Sequence, residues 1–102
     1  MEHYLLKLNP PRPTFQADMT EEERALMGRH VTYWSEQLDR GRILVFGPVF
    51  DPEGGYGVAI ARSDSEGEIR EMIAGDPVIT EGTGFSYDAH PMPGAISLQA
   101  RG

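Results

Sequence analysis

Cysteine is absent from the 102 residues, which removes disulfides, thiolate nucleophiles and zinc–thiolate sites together. Lysine occurs once, and nine basic residues face sixteen acidic ones for a net charge of −7. That balance argues against nucleic acid as a partner, because affinity there rests on cations that displace phosphate counterions. No apolar run approaches the ~18 residues needed to cross a bilayer, so no membrane span is expected. The N-terminal MEHYLLKLNP has an acidic second residue, too short an apolar stretch and no cleavage signal. A cytoplasmic protein is therefore expected. Three further signatures are missing, namely HExxH, a Walker loop, and GxGxxG between a strand and a helix. His3, His30 and His90 are spread along the chain with no metal-ligand spacing inside one element, so neither a metal nor a cofactor is expected.

Hydrophobic residues at 39% and charged residues at 25% are ordinary for a globular chain, and 102 residues allow one domain, 1–102, with a modest core. Its organising stretch runs from Asp18 to Gly41, DMTEEERALMGRHVTYWSEQLDRG. Thr20 with Glu23 three residues on is a capping box, and the acidic run Glu21 to Glu23 suits the positive end of a helix starting at Glu21. Leu26, Met27, His30, Val31, Trp34 and Leu38 recur at three- and four-residue spacing as one apolar stripe, and Gly41 supplies the left-handed residue that ends the helix. His30 lies in the middle of that stripe. A lone histidine there is more often a satisfied core residue than a catalyst.

Ahead of this helix, residues 3–9 alternate in strand fashion, and PPRPTFQAD then reads as a stiff loop whose aromatic, Phe15, plugs a core edge. After it, RILVFGPVF (42–50) is an apolar run expected of a central strand covered on both faces, with Gly47-Pro48 near its end. DPEGG is turn chemistry, and YGVAIAR (56–62) completes an antiparallel hairpin. Ser65 with Glu68 opens a second helix carrying Ile69, Met72 and Ile73 and closed by Gly75. Asp76-Pro77 opens a turn, and FSYDAH (85–90) is the last strand. The tail PMPGAISLQARG is expected to extend it or to cross to a partner.

The order strand, helix, strand, strand, helix, strand is the α+β, ferredoxin-like βαββαβ arrangement. Both helices would cover one sheet face. The other, with residues such as Val45, Val58 and Ile60 or their alternates, is left open, and a homodimer is the economical way to cover it.

The segments DMTEEERALMGRHVTYW, FGPVFDPEGGYGVAI and AGDPVITEGTGFSYDAHPMP, between about Tyr4 and Pro93, resemble the YCII-related (YciI-like) family. That resemblance implies a dimeric α+β barrel, similar in fold to muconolactone isomerases, in which two protomers set their sheets face to face. It also implies a paired histidine and aspartate in a cleft, at positions matching His30 and Asp76. One member type of the family eliminates chloride from a chlorinated hydroxyquinol.

On this reading the chain is a small-molecule enzyme, an isomerase or lyase acting on an aromatic or lactone-like compound through the His30–Asp76 pair. Trp34, Phe46 and Phe85 are expected to line the pocket, and Tyr33, Tyr56 and Arg29 to supply polar contacts. Two rivals stand beside it: a non-catalytic small-molecule binding or sensing module, and a structural dimer with an incidental core histidine.

Overall fold

The computed structural model describes residues 1–98. Strand β1 (Glu2–Asn9) is followed by a one-turn helix α1 (Phe15–Asp18), the long helix α2 (Glu21–Asp39), and strands β2 (Ile43–Val49) and β3 (Tyr56–Ser63). Helix α3 (Glu66–Gly75), a second one-turn helix α4 (Pro77–Thr80) and strand β4 (Ser86–Pro91) complete it. The strands form one antiparallel sheet in the order β2-β3-β1-β4. That is the ferredoxin-like βαββαβ topology, with the two single turns added.

Helix α2 starts where its cap dictates. The Thr20 side chain accepts from Glu23 N at 3.1 Å, and the Glu23 carboxylate accepts from Thr20 N at 2.9 Å. Glu23 also takes both arms of the Arg12 guanidinium at 2.8 Å, while Arg12 Nε donates to Asp18 at 2.8 Å. Those Arg12 bonds, with the capping bonds to Thr20, pull the Glu23 carboxyl down to about 2 and fasten the proline-rich segment to the head of the helix. The segment is not a plain loop. Residues 15–18 close a helical turn through Ala17 N and Asp18 N to Thr14 O, because the last proline at 13 leaves their donors free. Phe15 is buried there and meets Phe85 edge-on at 5.1 Å. At the other end of α2, Gly41 adopts φ of 75° and stops the helix.

The buried seam of α2 is rotated from the expected stripe. Leu26, Trp34 and Gln37 are its buried residues, whereas Val31 is 49% and Leu38 41% exposed. Positions 26, 30, 34 and 37 follow the helical period, and the seam keeps that phase even at a glutamine. Gln37 is held inside by its position three residues after Trp34, and its Oε1 has no hydrogen-bond partner among the described residues.

On the helix-covered sheet face, Tyr4, Leu6, Ile43, Ala59 and Ala61 pack with Trp34, Ile69 and Met72. A second cluster joins Leu8, Leu26 and Val78, with Met27, Phe85 and Tyr87 against it. Strand β2 is an edge strand rather than the expected central one. Its apolar run reports burial of alternate residues such as Ile43 and leaves Val45 57% exposed; Pro48, which has no donor, is tolerated at an edge. A bulge falls between Ile43 and Val45, upstream of the Gly47-Pro48 pair. The register aligns Leu5 with Ile60, Val45 with Ile60, and Lys7 with Val58, so these side chains share the uncovered face. The ladder runs one bond past β4, from Met92 N to His3 O; the tail beyond residue 98 lies outside the described residues. No helix among those residues is long and apolar enough to cross a membrane.

Thr20→Ala removes the hydroxyl that satisfies an orphan N–H of α2. It is expected to cost about 1 kcal/mol in urea unfolding with the circular dichroism spectrum retained; an unchanged midpoint would place the cap elsewhere.

Candidate functional site

Helix α3 ends and α4 begins on the same residue. Asp76 has extended backbone, φ −66° and ψ 131°, as the residue before a proline should. Its side chain caps the new helix, with Oδ1 accepting from Val78 N at 3.1 Å. The other oxygen, Oδ2, is turned toward α2 and β4. It accepts from Nε1 of Trp34 at 2.7 Å, from the Tyr87 hydroxyl at 2.6 Å, and lies 2.8 Å from Nδ1 of His30. An ionised carboxylate only accepts, so the proton of this last bond sits on Nδ1 and Nε2 is the unprotonated nitrogen of the neutral ring.

Asp76 is 0% exposed. Burial is the largest influence on its carboxyl and pushes it up; the bonds from His30, Tyr87 and Trp34, together with the charge His30 can carry, outweigh it, and the group is held below its ordinary value. The magnitudes agree with that sign. Burying a charge costs several kcal/mol, and hydrogen bonds to a charged group return about 1.5–3 kcal/mol each. Tyr87 shifts the opposite way. Burial first, then the Asp76 charge, push its phenol far up, so it remains a donor.

His30 is 14% exposed and lines a cavity of about 370 Å³. Helix α2 contributes Met27, Val31 and Trp34 to its wall, the sheet contributes Leu8, Ala59 and Tyr87, and the proline-rich segment contributes Pro10, Phe15, Gln16 and Met19. Val31, on this wall, is half-exposed. The wall is closed on the hairpin side by a close approach: Gln16 Nε2 donates to Val49 O at 3.2 Å, and a Cβ on Gly55 would fall 1.8 Å from Gln16 Oε1. Only glycine fits there while Gln16 keeps this position.

The expected site residues divide in two. His30 and Asp76 are joined, Trp34, Phe46 and Phe85 line the cavity, and Tyr56 borders it with its ring under the Lys7 ammonium, 4.5 Å from the centroid. Arg29 and Tyr33 are placed elsewhere. Arg29 faces outward in a forked pair with Glu81, at 2.8 and 3.0 Å. Tyr33 stacks edge-on against Trp34 at 5.4 Å and donates to Met72 O at 2.6 Å, one helical step from the cavity side. Tyr87, which the sequence places only on a strand, is a part of the site that sequence reasoning missed. Its alternation with Phe85 puts both on one face, and that was the available signal. Among the described residues no group of three histidine, aspartate or glutamate side chains is arranged to hold a metal ion.

Comparison with known proteins gives a family and a fold. The sequence pattern of the YCII-related domain matches residues 3–93. No curated protein matches the sequence significantly. Among solved structures, the chain is similar to 5-chloro-2-hydroxyhydroquinone dehydrochlorinase from Burkholderia phenoliruptrix, in complex with 2,5-dihydroxybenzoquinone. The TM-score is 0.61 at 18% identity, over 85% of this chain and 90% of that one. At that identity the likeness bears on the fold alone.

Asp76→Ala strands the four donors that reach the carboxylate, from His30, Trp34, Tyr87 and Val78 N, and is expected to cost about 3–5 kcal/mol, while Asp76→Asn costs about 1–3 kcal/mol. Because the folded carboxyl lies below its ordinary value of 3.8, its stabilising contribution is complete above that pH and is lost as pH falls through the lower folded value. Urea midpoints of the parent chain and Asp76→Asn should therefore differ at pH 7 and converge in strong acid. A constant gap would show that the carboxylate charge is not what the variant removes.

Proposed function

The chain belongs to the YCII-related domain family, and on that footing we propose that it is a small-molecule enzyme in which His30, oriented by Asp76, transfers a proton. The observation that carries this reading is the 2.8 Å bond between His30 Nδ1 and a fully buried carboxylate, made by a histidine that itself lines a cavity. Nδ1 is committed, so Nε2 is left for a ligand. A positioned imidazole of this kind contributes about 10²–10⁴ in rate as general base or acid.

The cavity supports a ring-shaped, weakly polar substrate. Its volume of about 370 Å³ is within the usual range for a small molecule, and Trp34, Phe46, Phe15 and Phe85 offer flat apolar surface with few hydrogen-bonding groups beside them. An elimination fits: a substrate proton passes to Nε2 while the leaving group departs with its bonding electron pair. An isomerisation fits equally, with the imidazolium returning the proton to a neighbouring carbon. The fold neighbour is named for a dehydrochlorination and holds a dihydroxybenzoquinone, which makes hydroxylated and halogenated quinols the first compounds to try.

The working unit on this reading is a homodimer. Leu5, Val45, Val58 and Ile60 share a sheet face that carries no helix, and an open apolar face of some hundreds of Å² favours association. Two protomers meeting sheet to sheet would form the dimeric α+β barrel.

Two measurements test this. Sedimentation equilibrium at micromolar concentration should give twice 11.3 kDa; a monomer would remove the barrel. Binding of 2,5-dihydroxybenzoquinone, followed by absorbance, should be retained in His30→Gln, while turnover of the responding halogenated quinol, read as halide release, should fall at least about 100-fold. Turnover retained in His30→Gln would end the catalytic role. Binding without turnover of any compound in the parent chain would favour a binding module instead.

A further inference from the structure

We propose that Tyr87 is a positioning residue for His30: with the Trp34 indole, its hydroxyl holds the carboxylate oxygen from which His30 hangs, and so sets how strongly the free imidazole nitrogen attracts a proton. This deepens the proton-transfer reading and rests on it.

The geometry is a shared acceptor. Tyr87, Trp34 and His30 reach Asp76 Oδ2 at 2.6, 2.7 and 2.8 Å. A carboxylate raises the basicity of a bonded imidazole by favouring its charged form. Each further donor on the same oxygen draws charge away from that bond, and an O–H on a carboxylate at 2.6 Å is a short, charge-assisted one. Tyr87 therefore opposes Asp76, and His30 feels a carboxylate that is weakened but fixed in place. The phenol cannot reverse the effect by ionising, since burial and the Asp76 charge hold it protonated.

The arrangement also joins three elements. His30 and Trp34 come from α2, Asp76 from the α3–α4 junction, and Tyr87 from β4, where it pairs with Leu8. Other titratable groups nearby are otherwise engaged. The Tyr33 hydroxyl goes to Met72 O, and Glu36, Arg40 and Arg42 act on Tyr33. Arg29 is paired with Glu81.

The test needs no substrate: the ring nitrogens of His30 are titrated by ¹⁵N NMR in the full chain, with ligand absent. Tyr87→Phe should move the midpoint to higher pH by about half to one unit, which is about three- to tenfold in the proton equilibrium. With 3-fluorotyrosine in place of Tyr87, whose hydroxyl is the stronger donor at nearly the same size, the midpoint should move to lower pH. Tyr33→Phe, which removes a bond of similar length made to a backbone carbonyl, should leave it in place. A purely structural role would not give opposite signs for the two changes at position 87. No shift in Tyr87→Phe, or shifts of one sign in both, overturns the proposal; if Tyr87→Phe fails to fold, the absence of a downward shift with 3-fluorotyrosine overturns it alone. Failure of the catalytic reading is separate, since it appears as turnover retained in His30→Gln while the titration shifts persist.

Discussion

One carboxylate oxygen ties together the half of this molecule that carries the cavity. Asp76 is sealed from solvent, and a buried charge of that kind persists only where its lone pairs are met. Meeting them requires an imidazole, an indole and a phenol from a helix and a strand that are remote in sequence, plus the backbone N–H of the short helix Asp76 itself caps. The relative placement of α2, the α3–α4 junction and β4 follows from that requirement. It also fixes the imidazole tautomer, so structural and chemical demands are met by the same bonds.

The cavity beside this oxygen is a consequence of how the proline-rich segment is tied down. Arg12 clamps it to the capping carboxylate of α2, Phe15 anchors it against Phe85, and Gln16 ties it to the β2–β3 hairpin across Gly55. These contacts hold an apolar wall over the sheet without filling the space beneath it. In such surroundings charge interactions are less screened than in water, so the few polar atoms on the wall matter more than their number suggests.

Local signals are legible where a local cause suffices. The Thr20–Glu23 box, the glycine stop at Gly41 and the cap at Ser65 each involve bonds between residues a few positions apart, and each is in place. The phase of α2 is less legible, because hydropathy points to Val31 and Leu38 while the seam runs through Gln37. The rank of β2 in the sheet is hidden for a related reason: an apolar run reports that a strand is buried somewhere and says nothing of how many neighbours it has. Arg29 adjoins His30 along the chain, but adjacent helical residues point about 100° apart, and its guanidinium is paired with Glu81.

The sequence by itself determined the α+β order of the main elements, the ends of the two longer helices, one open sheet face, and His30 and Asp76 as the pair to examine, the last through family resemblance. These follow from short-range periodicity and capping chemistry, or from a shared pattern. Only the tertiary structure decided that Asp76 Oδ2 is shared with Trp34 and Tyr87, and that a cavity opens beside His30. Residues 30 and 87 lie on elements whose separation along the chain carries no distance information; their hydrogen bonds to Asp76 exist only once the sheet has set β4 beside β1 and α2 has packed over it.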